Sequence, residues 1–167
     1  MDGSIQIYHG KGRGKTTAAL GLGIRAAGTG RRVIMVQFLK GKNSNTHEFL
    51  KKLEPELQIF RFERADCVFS ELTPERQKEQ LANIKTALAY TRKVLDTHQC
   101  DVLILDEIFG LLDYDIISQE ELVQLISTGR DSMDIILTGR NMPESMMDIA
   151  DCVYNIVTEK EISEEIF

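Results

Sequence analysis

The densest chemistry in the 167-residue chain is the run Gly10-Lys11-Gly12-Arg13-Gly14-Lys15-Thr16-Thr17, which follows a β-prone stretch from Ser4 to His9 and leads into a helix-forming one. Glycines in such a turn let successive backbone N–H groups face inward, and the N-terminus of the following helix adds partial positive charge. Lys15 would neutralise phosphate oxygens and the Thr16 hydroxyl would hold a magnesium ion, so the run predicts a polyphosphate cradle. It departs from the strict pattern G-x-x-x-x-G-K-[ST] at one place, where His9 stands at the first glycine position. A ligand-free Gly/Lys-rich surface turn is the competing reading, and the strand before the loop and the helix after it argue against that.

Asp106 and Glu107 end the apolar run that begins at Asp101, and a carboxylate there can hold magnesium directly or through water. Taken alone, the pair would serve equally as a helix cap. In open α/β sheets ligands gather at the carboxyl ends of strands, which collects His9, Gln37, Asp106, Glu107 and Arg140 in one region. Arg25, in the first helix, and Arg140, in Thr138-Gly139-Arg140, are each open to two readings, phosphate partner or surface ion pair. Phe60 and Phe62 read as core, and Phe69 as the aromatic placed to touch a ligand. Cys67, Cys100 and Cys152 are odd in number and lack metal-ligand spacing, so they read as buried or idle thiols.

Six strands are expected to position these groups: Ser4 to His9, Val33 to Leu39, Gln58 to Phe62, Asp101 to Asp106, Asp134 to Thr138, and Cys152 to Val157. Several are apolar throughout, as strands covered on both faces are. Helices are expected from Lys15 until Gly28 and Gly30 stop it, from His47 to Leu53, and from Pro74 with Thr73 as N-cap. The last carries a buried stripe of Leu81, Ile84, Leu88 and Leu95. Two more should run from Ser118, in capping-box spacing with Glu121, to about Thr128, and from about Pro143 to Ala150. Strands alternating with helices imply right-handed crossovers. The expected fold is therefore α/β, three-layered, with a mostly parallel central sheet of about five to six strands. The chain reads as one domain over 1–167, with a short acidic tail at 158–167.

Composition narrows the function classes. Twenty Lys plus Arg against 26 Asp plus Glu give a net charge of -6, which argues against a nucleic-acid partner. No apolar run approaches the roughly 18 residues of a membrane span, and the first strand begins too early for a signal sequence. A cytoplasmic protein without membrane partners is expected.

The runs Gly10 to Ala19, Arg25-Ala26-Ala27-Gly28, Val36 to Gly41, Leu105-Asp106-Glu107, Thr138-Gly139-Arg140 and Ile149-Ala150-Asp151 occur in that order. In them the chain resembles the P-loop-type ATP:corrinoid adenosyltransferases of cobalamin synthesis and salvage, over about residues 4 to 157. That family itself carries a non-glycine at the first loop position. The resemblance implies a P-loop NTPase-like fold and transfer of the 5′-deoxyadenosyl group of ATP to the Co(I) of a corrinoid, with release of triphosphate. It implies Mg2+ as cofactor, held by Thr16, Asp106 and Glu107. Lys15, Glu107 and Phe69 would be the catalytic residues. The nucleotide would be bound by His9, Gly10, Lys11, Gly12, Arg13, Gly14, Lys15, Thr16, Thr17, Arg25, Gln37 and Arg140. The amides of Gly12 and Gly14, together with Lys15 and Arg13, would meet the charge growing on the leaving group. A flavoprotein reductant and a homodimer also follow from the resemblance.

Two features differ from the family. The loop after the third strand has no Trp and keeps only Phe69 of an aromatic cluster, and the chain ends in Thr158 to Phe167 where relatives carry a basic tail. Two other readings stand beside the transferase. One is a P-loop ATPase or phosphotransferase in which Glu107 positions the attacking group; the other is a catalytically silent nucleotide-binding regulator.

Overall fold

The computed structural model describes residues 3–39, 49–62 and 69–160. Six strands form one sheet: β1 (Ile5–His9), β2 (Val33–Gln37), β3 (Leu57–Arg61), β4 (Val102–Asp106), β5 (Asp134–Gly139) and β6 (Cys152–Asn155). Their order is β3-β2-β4-β5-β1-β6, and every neighbouring pair is parallel. Among the described residues, helices α1 (Lys15–Gly28), α2 (Pro74–Asp96), α3 (Ile108–Asp113) and α4 (Gln119–Ser127) cover it.

Alternation along the strands divides the core in two. Ile5, Ile7, Ile34, Val36, Leu103, Leu105, Ile135 and Leu137 pack with α2, α3 and α4, whereas Val33, Met35, Val102, Ile104 and Ile136 pack with Ala19 of α1. Helices on both faces of a parallel sheet make the three layers expected. β2 and β4 are buried at every position, which explains their unbroken apolar sequence. The thiols divide: Cys100 is buried, and burial pushes its thiol up to about 12. Cys152 is exposed on β6, and Cys67 lies outside the described residues.

Caps follow the sequence closely. Thr73 accepts from the Arg76 amide with Pro74 in the first turn, and Ser118 and Glu121 complete a reciprocal capping box. The α2 stripe is rotated from the one expected. Gln80, Ile84, Ala87, Thr91, Val94 and Leu95 are buried, while Leu81 and Leu88 sit half-buried on its flank. Thr91 enters the core because its hydroxyl donates to Ala87 O at 2.9 Å, satisfying the polar group within the helix.

One expectation holds within the described residues and two change. Of the helix expected from His47 to Leu53, the part within the described residues is helical and closes in a tight turn at Lys51–Leu53. The helix expected from Pro143 to Ala150 is only a 3-10 turn, Glu144–Met146. The segment after it is claimed by the sheet: Asp151 N–H donates to Ile5 O at 2.8 Å, and its carboxylate accepts from Ile5 N–H at 2.8 Å. Conversely, α3 was not expected. Ile108, Phe109, Gly110 and Leu111 are all buried, so the helix has no polar face to give it a 3.6-residue period.

α1 lies close on the sheet because Gly23 faces it. A Cβ there would come 2.9 Å from Ile104 Cδ1 and 3.3 Å from Leu57 Cδ1 and Val33 Cγ1. The substitution Gly23→Val should therefore destabilise the protein by about 1–3 kcal/mol through overpacking, read as a lower midpoint in urea unfolding.

Candidate functional site

The Gly10–Gly14 loop is shaped by glycine backbone and by the chain that follows β6. Gly10 has φ +113°, and a Cβ on it would stand 2.3 Å from Asn155 Oδ1 and 2.4 Å from Ile156 O. The strap is hydrogen-bonded on both sides: Ile156 N–H donates to His9 O at 2.7 Å, and Gly12 N–H donates to Ile156 O at 2.9 Å. Gly10 N–H donates to Arg140 O at 3.1 Å. This corrects the expectation that the Gly12 amide meets phosphate; strap and loop consume it. Gly14, at φ +104°, turns the chain into α1, whose first intrahelical bond is Ala18 N–H to Gly14 O at 2.8 Å. The first-turn amides before Ala18 lie at the positive end of the helix dipole. Lys15 is buried and folds back over the loop, its Nζ donating to Gly10 O at 2.7 Å and Gly12 O at 2.8 Å.

Asp106 lies beneath this loop and is wholly excluded from solvent. Thr16 Oγ1 donates to its Oδ1 and Oδ2 at 2.9 and 3.1 Å, Thr138 Oγ1 to Oδ1 at 2.7 Å, and Gln37 Nε2 to Oδ2 at 2.9 Å. Thr138 also accepts from the Glu107 amide at 2.8 Å. Behind Gln37, Arg61 Nε donates to its Oε1. Burial pushes the Arg61 guanidinium below its ordinary value, and the nearby Asp106 charge opposes that shift. These residues form a rung: Arg61 pairs in register with Gln37, Gln37 with Asp106, Thr138 with Tyr8, and Tyr8 with Tyr154. The two tyrosine rings stack at 4.8 Å between centroids.

Glu107 takes a different environment from its neighbour. Its φ of +61° is left-handed, an uncommon and strained conformation for glutamate. In one residue the chain leaves buried β4, enters α3 and delivers the Glu107 side chain to a cleft of about 730 Å³. Leu39, Phe69, Tyr114 and Arg140 also line this cleft. Phe69 and Tyr114 meet with ring centroids 5.1 Å apart, tilted by 53°.

The structure therefore brings Lys15, Thr16, Asp106, Glu107, Phe69 and Arg140 to one end of the sheet, with Gln37 buried behind Asp106 and His9 half-buried at the end of β1. Lys11, Arg13 and Thr17 are exposed on or beside the loop. Arg25 is not brought there. It is exposed in the last turn of α1, ten residues and about 15 Å along the axis from Lys15. Sequence reasoning missed Arg61, Tyr114 and the role of Thr138. The first and last needed the strand register, and Tyr114 needed α3.

The buried hydroxyl of Thr138 holds both the Asp106 carboxylate and the Glu107 amide. Thr138→Val keeps the shape and removes both bonds, and should cost about 1.5–3 kcal/mol in urea unfolding, the range for a hydrogen bond to a charged group.

The sequence matches known proteins over nearly its whole length. Residues 1–165 match the family described as ATP:corrinoid adenosyltransferase BtuR/CobO/CobP. The corrinoid adenosyltransferase of Escherichia coli (strain K12) is 32% identical over 151 residues, covering 90% of this chain and 74% of its own length. The corrinoid adenosyltransferase CobA of Salmonella typhimurium (strain LT2) is similar to the same extent, 32% over 151 residues, 90% of this chain and 74% of its own length. A corrinoid adenosyltransferase of Sinorhizobium is 30% identical over 162 residues, 96% of this chain and 72% of its own. Among solved structures, the KaiC-like protein PH0186 from Pyrococcus horikoshii OT3 shares the fold. Its TM-score is 0.58 at 19% identity, over 96% of this chain and 75% of that one.

Proposed function

The chain belongs to the ATP:corrinoid adenosyltransferase family, and from that membership we propose how its residues carry out the transfer of the 5′-deoxyadenosyl group of ATP to a Co(I) corrinoid. The observation that carries the reading is continuity. Thr16 of the glycine loop is bonded to Asp106, and the next residue, Glu107, lines a cleft walled by Phe69 and Tyr114.

In the reaction a bond forms between cobalt and C5′ while the C5′–O5′ bond breaks. The electron pair of that bond leaves with triphosphate, and cobalt passes formally from Co(I) to Co(III). The nucleophile is a metal centre, so no general base is called for. The protein's work is to orient the nucleotide and stabilise the leaving group. Lys15 and the N-terminal end of α1 supply positive charge to the triphosphate.

Thr16, Asp106 and Glu107 are all hard oxygen donors, the set that suits Mg2+. Among the described residues no group of three or more His, Cys, Asp or Glu could hold a metal by itself. Such a site fits an ion that completes its shell with phosphate oxygens and water. Magnesium, when bound there, would offset the charge of the leaving triphosphate.

Phe69 and Tyr114 would pack against the face of the corrinoid, with Arg140 on the rim. Tyr114 thus supplies a second aromatic where the sequence offered only Phe69. The reaction calls for a strong one-electron donor, for which a flavoprotein is a suitable class, and the reading includes a homodimer acting in the cytoplasm. Among the described residues no helix is long and apolar enough to cross a membrane.

Protein incubated with magnesium, ATP and chemically reduced cobalamin or cobinamide should yield a light-sensitive alkyl-cobalt spectrum and inorganic triphosphate. Release of ADP would instead assign phosphoryl transfer, and binding without turnover a regulatory module. Lys15→Ala should abolish nucleotide binding in calorimetry. Phe69→Ala and Tyr114→Ala should each raise KM for the corrinoid about tenfold, equivalent to ~1.4 kcal/mol of lost ring contact. Both should leave KM for ATP within about twofold of wild type.

A further inference from the structure

Arg61 ends β3 two strands away from Asp106, and sequence patterning gives it no role. The sheet register nevertheless puts Arg61, Gln37 and Asp106 side by side at the ends of β3, β2 and β4. Gln37 is 4% exposed and Asp106 0%. A guanidinium can only donate and a carboxylate can only accept. The amide between them satisfies both in one orientation alone, Oε1 toward Arg61 and Nε2 toward Asp106, and that is the orientation present.

We propose that Arg61 is a positioning residue for the metal–nucleotide site, acting through the Gln37 amide to hold the Asp106 carboxylate where it accepts from Thr16. The proposal rests on the reading of this site as one for a metal–nucleotide complex. It moves Gln37 from a ligand of the nucleotide to a link behind the carboxylate.

The physical reason is the missing water. Without the guanidinium, Gln37 Oε1 loses its donor in a buried place, where an unmet polar atom costs most. The amide then turns to find another, and Asp106 Oδ2 loses a directed donor. The hydroxyls of Thr138 and Thr16 still donate to the carboxylate. With one directed donor fewer, the carboxylate turns more easily about its Cβ–Cγ bond, and the Thr16 hydroxyl follows it away from the geometry that suits a metal. Groups that orient metal ligands from behind typically change metal affinity 10- to 100-fold when removed. The phosphate-binding loop is built from other groups, so binding of metal-free nucleotide should not depend on Arg61.

The test compares wild type, Arg61→Met and Arg61→Lys in the full chain, with Mn2+ as the probe. Bound and free Mn2+ are counted by electron paramagnetic resonance in the presence of ATP, and ATP binding in EDTA is measured by calorimetry. Arg61→Met should weaken Mn2+–ATP binding about tenfold while leaving metal-free ATP binding within about twofold. Arg61→Lys, which keeps a charged donor, should stay within about threefold of wild type. The relay is overturned if Arg61→Met stays within about threefold, if Arg61→Lys is as weak as Arg61→Met, or if binding falls equally with and without metal. If Arg61→Met does not fold, Arg61→Lys decides by the same threefold limit. Failure of wild type itself to bind Mn2+–ATP would overturn the reading of the site, a result distinct from failure of the relay alone.

Discussion

A carboxylate shut away from water has to be met by donors, and Asp106 collects them from three directions: Thr16 at the start of α1, Gln37 at the end of β2 and Thr138 near the end of β5. Each donor is useful only if its own element arrives at the right height. The buried anion therefore ties the loop, the first helix and three strand ends into one geometry, since an unmet charge in that position would be far costlier than any single bond made there. Lys15 and the strap after β6 set the loop from the other side. The glycine loop is thus held from both sides by buried groups.

Asp106 and Glu107 are neighbours in sequence with opposite surroundings. The left-handed backbone of Glu107 separates them, leaving one carboxylate in the sheet and turning the other into the cleft. Strain of this kind persists only where the surroundings enforce it, and here the Glu107 amide is held by Thr138 while α3 is buried along nearly its whole length. The same short helix carries the chain to Tyr114 and so completes the aromatic wall with Phe69. One backbone turn thus connects the buried Asp106 network to the cleft lined by Phe69 and Tyr114.

Where sequence patterning misplaced an element, a long-range contact had the stronger claim. The segment from Pro143 to Ala150 has helix-compatible residues, yet paired bonds between Asp151 and Ile5 draw the chain into β6 after a single turn. The Gly12 amide, expected to face phosphate, is taken by Ile156, which is 144 residues away in the chain. The α2 stripe turned because Thr91 could satisfy its hydroxyl on the helix and enter the core, which a count of apolar side chains does not register.

Read alone, the chain determined what depends on near neighbours. The parallel sheet followed from unbroken apolar strands, the caps at Thr73 and Ser118 from local chemistry, and the strand–loop–helix turn from the glycines before Lys15. Tertiary structure alone decided which strands lie side by side. That order placed Arg61 behind Gln37 and Thr138 against Asp106, and the packing of α3 brought Tyr114 against Phe69. The reason is physical: backbone preference and side-chain period act over a few residues, whereas the partner of a buried polar group is set by register across strands, and nothing local in the sequence encodes register.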